Sequence, residues 1–150
     1  MGVRRIVTGE VDGRSGIVSD SESTTTWCDE IWMTTAEQPF GLDPGAAQQP
    51  LEPAEGNSHF RIVTLPPEAI IREAMRAAAG TIEAVDADGF HKTDSIVYLI
   101  VMDGPVELML DEGSVLLEPG DCVVQRGTNH AWRNHGDKPI RLVCVMIGRS

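Results

Sequence analysis

From residue 90 onward the chain consists of short β-type segments cut apart by glycine-bearing turns. No other feature constrains the fold as strongly. "IVYLIVM" (96–102) is a nearly continuous apolar run, "DGP" turns it, and "VELML" (106–110) alternates with Val106, Leu108 and Leu110 on one face. "DEGS" turns the chain again, and "VLLEPGDCVVQRG" (115–127) and "IRLVCVMIG" (140–148) complete the set. β-rich segments divided by turns every 8 to 12 residues or so predict a sandwich or barrel. Upstream, "RRIVTGEVDGRSGIVSDSE" (4–22) places two β-branched runs around Asp12-Gly13, a hairpin signal. "TTTWCDEIWMTT" (24–35) and "FRIVTL" (60–65) read as further strands.

Only one segment has a helical period. "PPEAIIREAMRAAAG" (66–80) has Pro67 near the start, Glu68 in the first turn, Ile70, Ile71, Ala74 and Ala78 as the apolar stripe, and Gly80 as the stop. Between the strands at 35 and 60 lie 25 residues with four prolines, a length that marks either a functional cover or a surface linker. The fold class expected is all-β with one short helix. At 150 residues the chain reads as a single domain: N-terminal strands over 1–35, a long loop over 36–57 and the β core over 58–150.

Charge and cysteine usage narrow the partners. Asp plus Glu is 23 against 12 for Lys plus Arg, a net charge of −11 that repels phosphate backbones, so nucleic acid is not expected. No apolar run reaches the ~20 residues of a bilayer span, and "MGVRRIVTGEV" lacks the apolar stretch of a secretory signal, so neither membrane nor export is expected. Ile6 stands where a myristoylation motif needs Ser or Thr. Cys28, Cys122 and Cys144 are far apart and read as small hydrophobes of a reducing compartment, with the cytoplasm as the default.

Two motifs give the second half a family likeness. "HKTDSIVYLIVMDG" (91–104) keeps the spacing H-x-H, three residues, E, six residues, G, but Thr93 stands for the second His and Val97 for the Glu. "GDCVVQRGTNHAWRN" (120–134) supplies Gly120, Gly127, His130 and Asn134, with Gln125 at a position usually held by proline. Over about residues 89 to 148 the chain resembles the cupin family. Within it, the chain looks like the small single-domain cupins found beside polyketide and aromatic-compound enzymes. The resemblance implies a jelly-roll barrel whose two His-bearing turns meet inside, usually on a divalent metal, often in a homodimer. Carried over position by position, the ligand set reduces to His91 and His130.

Strand parity gives an independent reading. His91, Thr93 and Val97 are separated by even numbers, so an extended strand points all three to one side; His130, Trp132 and Asn134 likewise share a face. The pocket expected carries two imidazoles, a hydroxyl and an indole against aliphatic carbon. A catalytic zinc usually has three protein ligands and non-haem iron wants two His and a carboxylate. Val97 cannot ligate and Thr93 is a poor neutral ligand, while Asp94 has the wrong parity; Gln125, Asp29 or Glu30 would have to complete a set. A weakly held Fe, Zn, Mn or Ni is therefore one alternative. The other is a metal-free proton-transfer pair, one imidazole acting as base and the other as acid near neutrality. The bland alternative leaves both histidines as hydrogen-bonded barrel residues.

The catalytic candidates are His91, His130 and Thr93. Trp132, Trp32, Arg126, Gln125 and Asn134 are candidates for holding a small, fairly apolar organic substrate. Trp27 and Trp32 serve equally well as core, Arg133 is an alternative carboxylate clamp, and Tyr98 falls on the opposite face. His59 and His135 read as surface residues and Asp121 as a turn-former. The function expected is an enzyme of secondary or aromatic-compound metabolism of lyase, isomerase or cyclase type. A metal-dependent, dioxygenase-like cupin and a non-catalytic binding cupin are the alternatives.

Overall fold

The computed structural model describes residues 2–23, 28–45, 49–77, 86 and 88–149, without the side chains of 74–77. Among the described residues, ten strands and one helix follow in order: β1 (Arg4–Val11), β2 (Arg14–Glu22), β3 (Cys28–Thr34), β4 (Ser58–Leu65), α1 (Glu68–Ala77), β5 (Ser95–Val101), β6 (Val106–Leu110), β7 (Gly113–Leu117), β8 (Cys122–Arg126), β9 (His130–Arg133) and β10 (Ile140–Gly148). The all-β expectation with one short helix is met.

β1 and β2 form their own two-stranded sheet around Asp12 and Gly13, whose φ angles of 51° and 73° are both positive, as a two-residue turn of this hand requires. A five-stranded sheet runs β3-β4-β10-β5-β8 and a three-stranded sheet β7-β6-β9, every pairing antiparallel. The burial alternation of β5 and β10 puts Val97, Leu99, Val101, Leu142, Cys144 and Met146 on one inner face, against Val106, Leu108 and Leu117. β5 and β10 read as near-continuous apolar runs because their outer faces, with Tyr98, Ile100 and Ile147, are apolar as well.

Helix α1 begins where expected. Glu68 in its first turn pairs with Arg72 at 2.7 Å, and its amide donates to the Asn134 carbonyl, tying the helix to the end of β9. The stripe is narrower than its sequence suggests: Ile71 faces the barrel cavity, whereas Ile70 is exposed because the helix covers only an edge. Ala78, Gly80 and the side chain of Ala74 lie outside the described residues, as does Trp27.

The 36–57 segment is not structureless. Leu42 bridges back to Met33, and the Trp32 indole N–H donates to the Phe40 carbonyl at 2.9 Å. Gly41 is required there: it has a φ of 87°, and a Cβ would sit 2.0 Å from the Trp32 indole nitrogen. Trp32 is thereby committed to anchoring the loop, and it does not line the cavity described below, contrary to its expected place on a substrate.

Candidate functional site

The two sheets enclose a cavity of about 290 Å³. Its inner wall follows the strand registers. Arg61 on β4, Cys144 on β10 and Leu99 on β5 face one another in one row, and Met146, Val97 and Gln125 form the next. The second sheet contributes His130 and Trp132, and Ile71 of α1 and Leu51 of the long loop complete the lining. The parity argument placed His91, Thr93 and Val97 on one side, and all three line this cavity.

His91 and His130 are brought together by backbone pairing. Each donates its amide to the other's carbonyl at 3.0 Å, which sets the imidazole centroids 4.3 Å apart with planes inclined at 55°. The ring of His130 further stands edge-on to Trp132 at 6.4 Å. His91 Nδ1 lies 3.2 Å from the Gly89 carbonyl and His130 Nδ1 2.9 Å from the Thr128 carbonyl. A carbonyl only accepts, so both Nδ1 atoms carry the proton and both Nε2 atoms are left with a lone pair that no donor among the described residues engages. Burial pushes His130 down to about 4, so it is neutral at pH 7 and serves as an acceptor rather than as the acid of a pair. His91 is only half-buried and remains within reach of water.

Several expected contacts fall elsewhere. Asn134 is buried but spent: its Nδ2 donates to the Leu65 and Lys138 carbonyls at 3.0 and 2.8 Å and its Oδ1 accepts from the Gly136 amide, so it closes a turn and does not face substrate. Arg126 is exposed, because it sits one residue past Gln125 on β8 and so points outward. Asp94 is exposed, and Asp121 caps its own turn by accepting from the Glu118 amide at 2.8 Å. His135 is exposed as expected, bridging Glu68 and Glu107 at 3.1 and 2.7 Å. His59 is not a surface residue: it is buried on β4, where its Nδ1 accepts from Arg61 Nη2. Lost hydration and the neighbouring guanidinium push its pKa down to about 4.

Arg61 is the residue that sequence reasoning missed. Its guanidinium pairs with Glu30 at 2.8 Å, both side chains under 5% exposed, and donates to the carbonyls of Leu51 and Pro50 at 2.9 and 3.1 Å. The signal was present in "FRIVTL", where Arg61, Val63 and Leu65 alternate on one face and all three line the cavity. Arg133 also reaches the lining, held by Glu68 at 3.4 Å and by the Asp88 carbonyl.

The donor set does not fit a resident divalent ion of the four-ligand kind. Among the described residues no three His, Cys, Asp or Glu side chains gather in one place. Val97 supplies carbon where a carboxylate is needed, and Glu30 is engaged by Arg61. Burial holds the Cys28 and Cys144 thiols at about 12, so neither is a thiolate ligand at neutral pH. What the site offers is two imidazole lone pairs, the Thr93 hydroxyl and the Gln125 amide in a largely apolar wall, whose two guanidiniums, Arg61 and Arg133, are held by Glu30 and Glu68.

Comparison with known proteins bears on the same strands. Residues 80–146 match the family described as Cupin domain. Phomopsin biosynthesis cluster protein C' of Diaporthe leptostromiformis is 58% identical over 45 residues, 29% of this chain and 24% of that protein. The cupin-domain-containing oxidoreductase fogC of Aspergillus ruber is 36% identical over 61 residues, 38% of this chain and 30% of that protein. The matched stretch thus spans less than a third of the length of these relatives. The cupin domain of Cnp3 from Schizosaccharomyces pombe superposes with a TM-score of 0.52 over 97% of this chain and 89% of that one, at 11% identity, a likeness of fold. The stretch that matches a cupin domain, residues 80–146, includes both histidines, and the superposition shows a cupin-like fold.

Proposed function

We propose that this chain is a small-molecule enzyme of secondary metabolism that moves a proton on a compact, largely apolar substrate. One observation carries the reading: both histidines hold Nδ1–H on backbone carbonyls, so two unengaged Nε2 lone pairs meet in an apolar cavity. A carbon acid next to a carbonyl is the natural match. Its C–H electron pair moves into the enolate, and the proton passes to His91 Nε2, which can return it to water because that ring is half-exposed. Neutral His130 accepts a hydrogen bond from a substrate hydroxyl or the enol, and Trp132 packs against the ring system. Enolisation, dehydration and cyclisation all begin with such a transfer. Similarity to proteins named for phomopsin and oryzines biosynthesis clusters supports the metabolic setting.

The test is deuterium uptake. In D2O, 2-indanone is expected to exchange its α-hydrogens faster with native protein than in buffer, and His91→Ala or His130→Ala should lower the protein-dependent rate at least about a hundredfold. Exchange no faster than buffer, or unchanged in His91→Ala, removes this reading. A second reading, an oxidoreductase, is favoured by similarity to cupin-domain-containing oxidoreductases such as fogC. It requires donors beyond those gathered here.

A further inference from the structure

Among the described residues, Gln125 is a cavity-lining side chain whose buried amide donor is left unpaired. It sits on β8 directly across from Val97, is 5% exposed, and lines the cavity. Its amide Nε2 is fully buried and has no hydrogen-bond partner among the described residues. A second orphan, the Ser95 hydroxyl, is on the same face of β5, two residues before Val97. Leaving a buried amide donor unpaired costs about 1–3 kcal/mol, and native proteins keep few such groups without a reason. The neighbours explain why it stays unpaired: Val97 opposite and Met146 beyond it offer no oxygen. The wall is largely carbon; its other polar groups are Thr93, the two imidazoles, whose unengaged Nε2 atoms are acceptors, the Cys28 and Cys144 thiols, and the guanidiniums of Arg61 and Arg133, which are paired with Glu30 and Glu68.

We propose that Gln125 is the specificity-determining residue of the cavity, its amide N–H donating to an oxygen of the bound molecule, so that the site selects a carbonyl-bearing ligand over its hydrocarbon isostere. This deepens the proton-transfer reading and rests on it for the role of the oxygen. A donor at the carbonyl stabilises the enolate left when the α-proton departs to His91 Nε2. The terminal torsion of glutamine is broad, so the amide turns to a ligand without leaving its rotamer. A cavity with this wall and one fixed donor takes a ring of fused-bicycle size bearing a ketone or similar acceptor. It rejects a ligand that leaves the amide unpaired, as sites built on one buried donor do.

The experiment compares two probes of equal shape, 2-indanone and 2-methyleneindane, in which C=CH2 replaces C=O, with binding followed by quenching of Trp132 on the cavity wall. Native protein is expected to bind the ketone about tenfold more tightly, the worth of one buried hydrogen bond. In Gln125→Met the ratio should fall to about one while the hydrocarbon binds as well as before. A ratio near one in native protein overturns the proposal whatever the variant does, as does failure of both probes to bind. His91→Ala should keep the preference, since that ring does not hold the oxygen. If native protein prefers the ketone but exchanges no deuterium, the proton-transfer reading falls and the Gln125 assignment stands; exchange without preference gives the reverse.

Discussion

Two histidines that look alike in sequence are separated by what surrounds them. His130 came from a motif position and His59 from the end of a loop, yet both are buried and both are held near 4 chiefly by lost hydration. An unfolded chain protonates them near 6.5, so between about pH 6.5 and 4 it binds more protons than the folded one. Stability is therefore full above this window and falls as pH drops through it, by up to about 3 kcal/mol for each group. The paired carboxylates of Asp20, Asp43 and Asp103 are shifted downward, so their contribution is lost only at lower pH. In His59→Gln, the slope of unfolding free energy against pH between 6.5 and 4.5 is expected to shrink to roughly half; a slope equal to that of native protein would refute the assignment. The sequence places His130 at a motif position and reads His59 as a surface residue. It does not expose which gains a guanidinium neighbour, because Arg61 reaches His59 only along the pleat of a strand packed in a closed barrel.

At the scale of elements, the long segment is fastened from below. Arg61 spends one face on Glu30 and the other on two successive loop carbonyls, so a buried ion pair in the barrel also fixes Pro50 and Leu51 over the cavity. Lysine keeps the charge opposite Glu30 but lacks the planar fork that reaches both groups at once. Arg61→Lys is thus expected to leave the barrel folded and to raise the rate of proteolytic cleavage within 36–57 by about tenfold, read by limited digestion and mass spectrometry. Equal cleavage in variant and native protein would show that Arg61 does not hold the loop. The proline-rich composition marked a long loop, either a cover or a surface linker, while its anchoring required knowing which inward residue on β4 is charged.

At the scale of the molecule, apolar surface remains uncovered. Tyr98, Ile100 and Val124 cross the outer face of the five-stranded sheet, with Val124 57% exposed, and the β1–β2 hairpin turns out Ile17 at 64%. A two-stranded hairpin is marginal in water by itself, and contiguous apolar faces mark association. A homodimer is the expected state, with light scattering giving twice the 16.3 kDa of one chain; a mass of 16.3 kDa at micromolar protein would exclude it. The sequence by itself determined the β character of the second half, the helix at 68–77, the Asp12-Gly13 turn and the common side of His91, Thr93 and Val97, because each follows from periodicity or from a local backbone demand; it did not separate β7 from β8 or mark β9 as a strand. Only the tertiary structure decided that Asn134 closes a turn, that Trp32 anchors a loop, that Arg126 points to solvent and that Gln125 is left without a partner. Those outcomes depend on which strands become neighbours and on the hydrogen bonds each enclosed group can still find, and both are set when the two sheets close on one another.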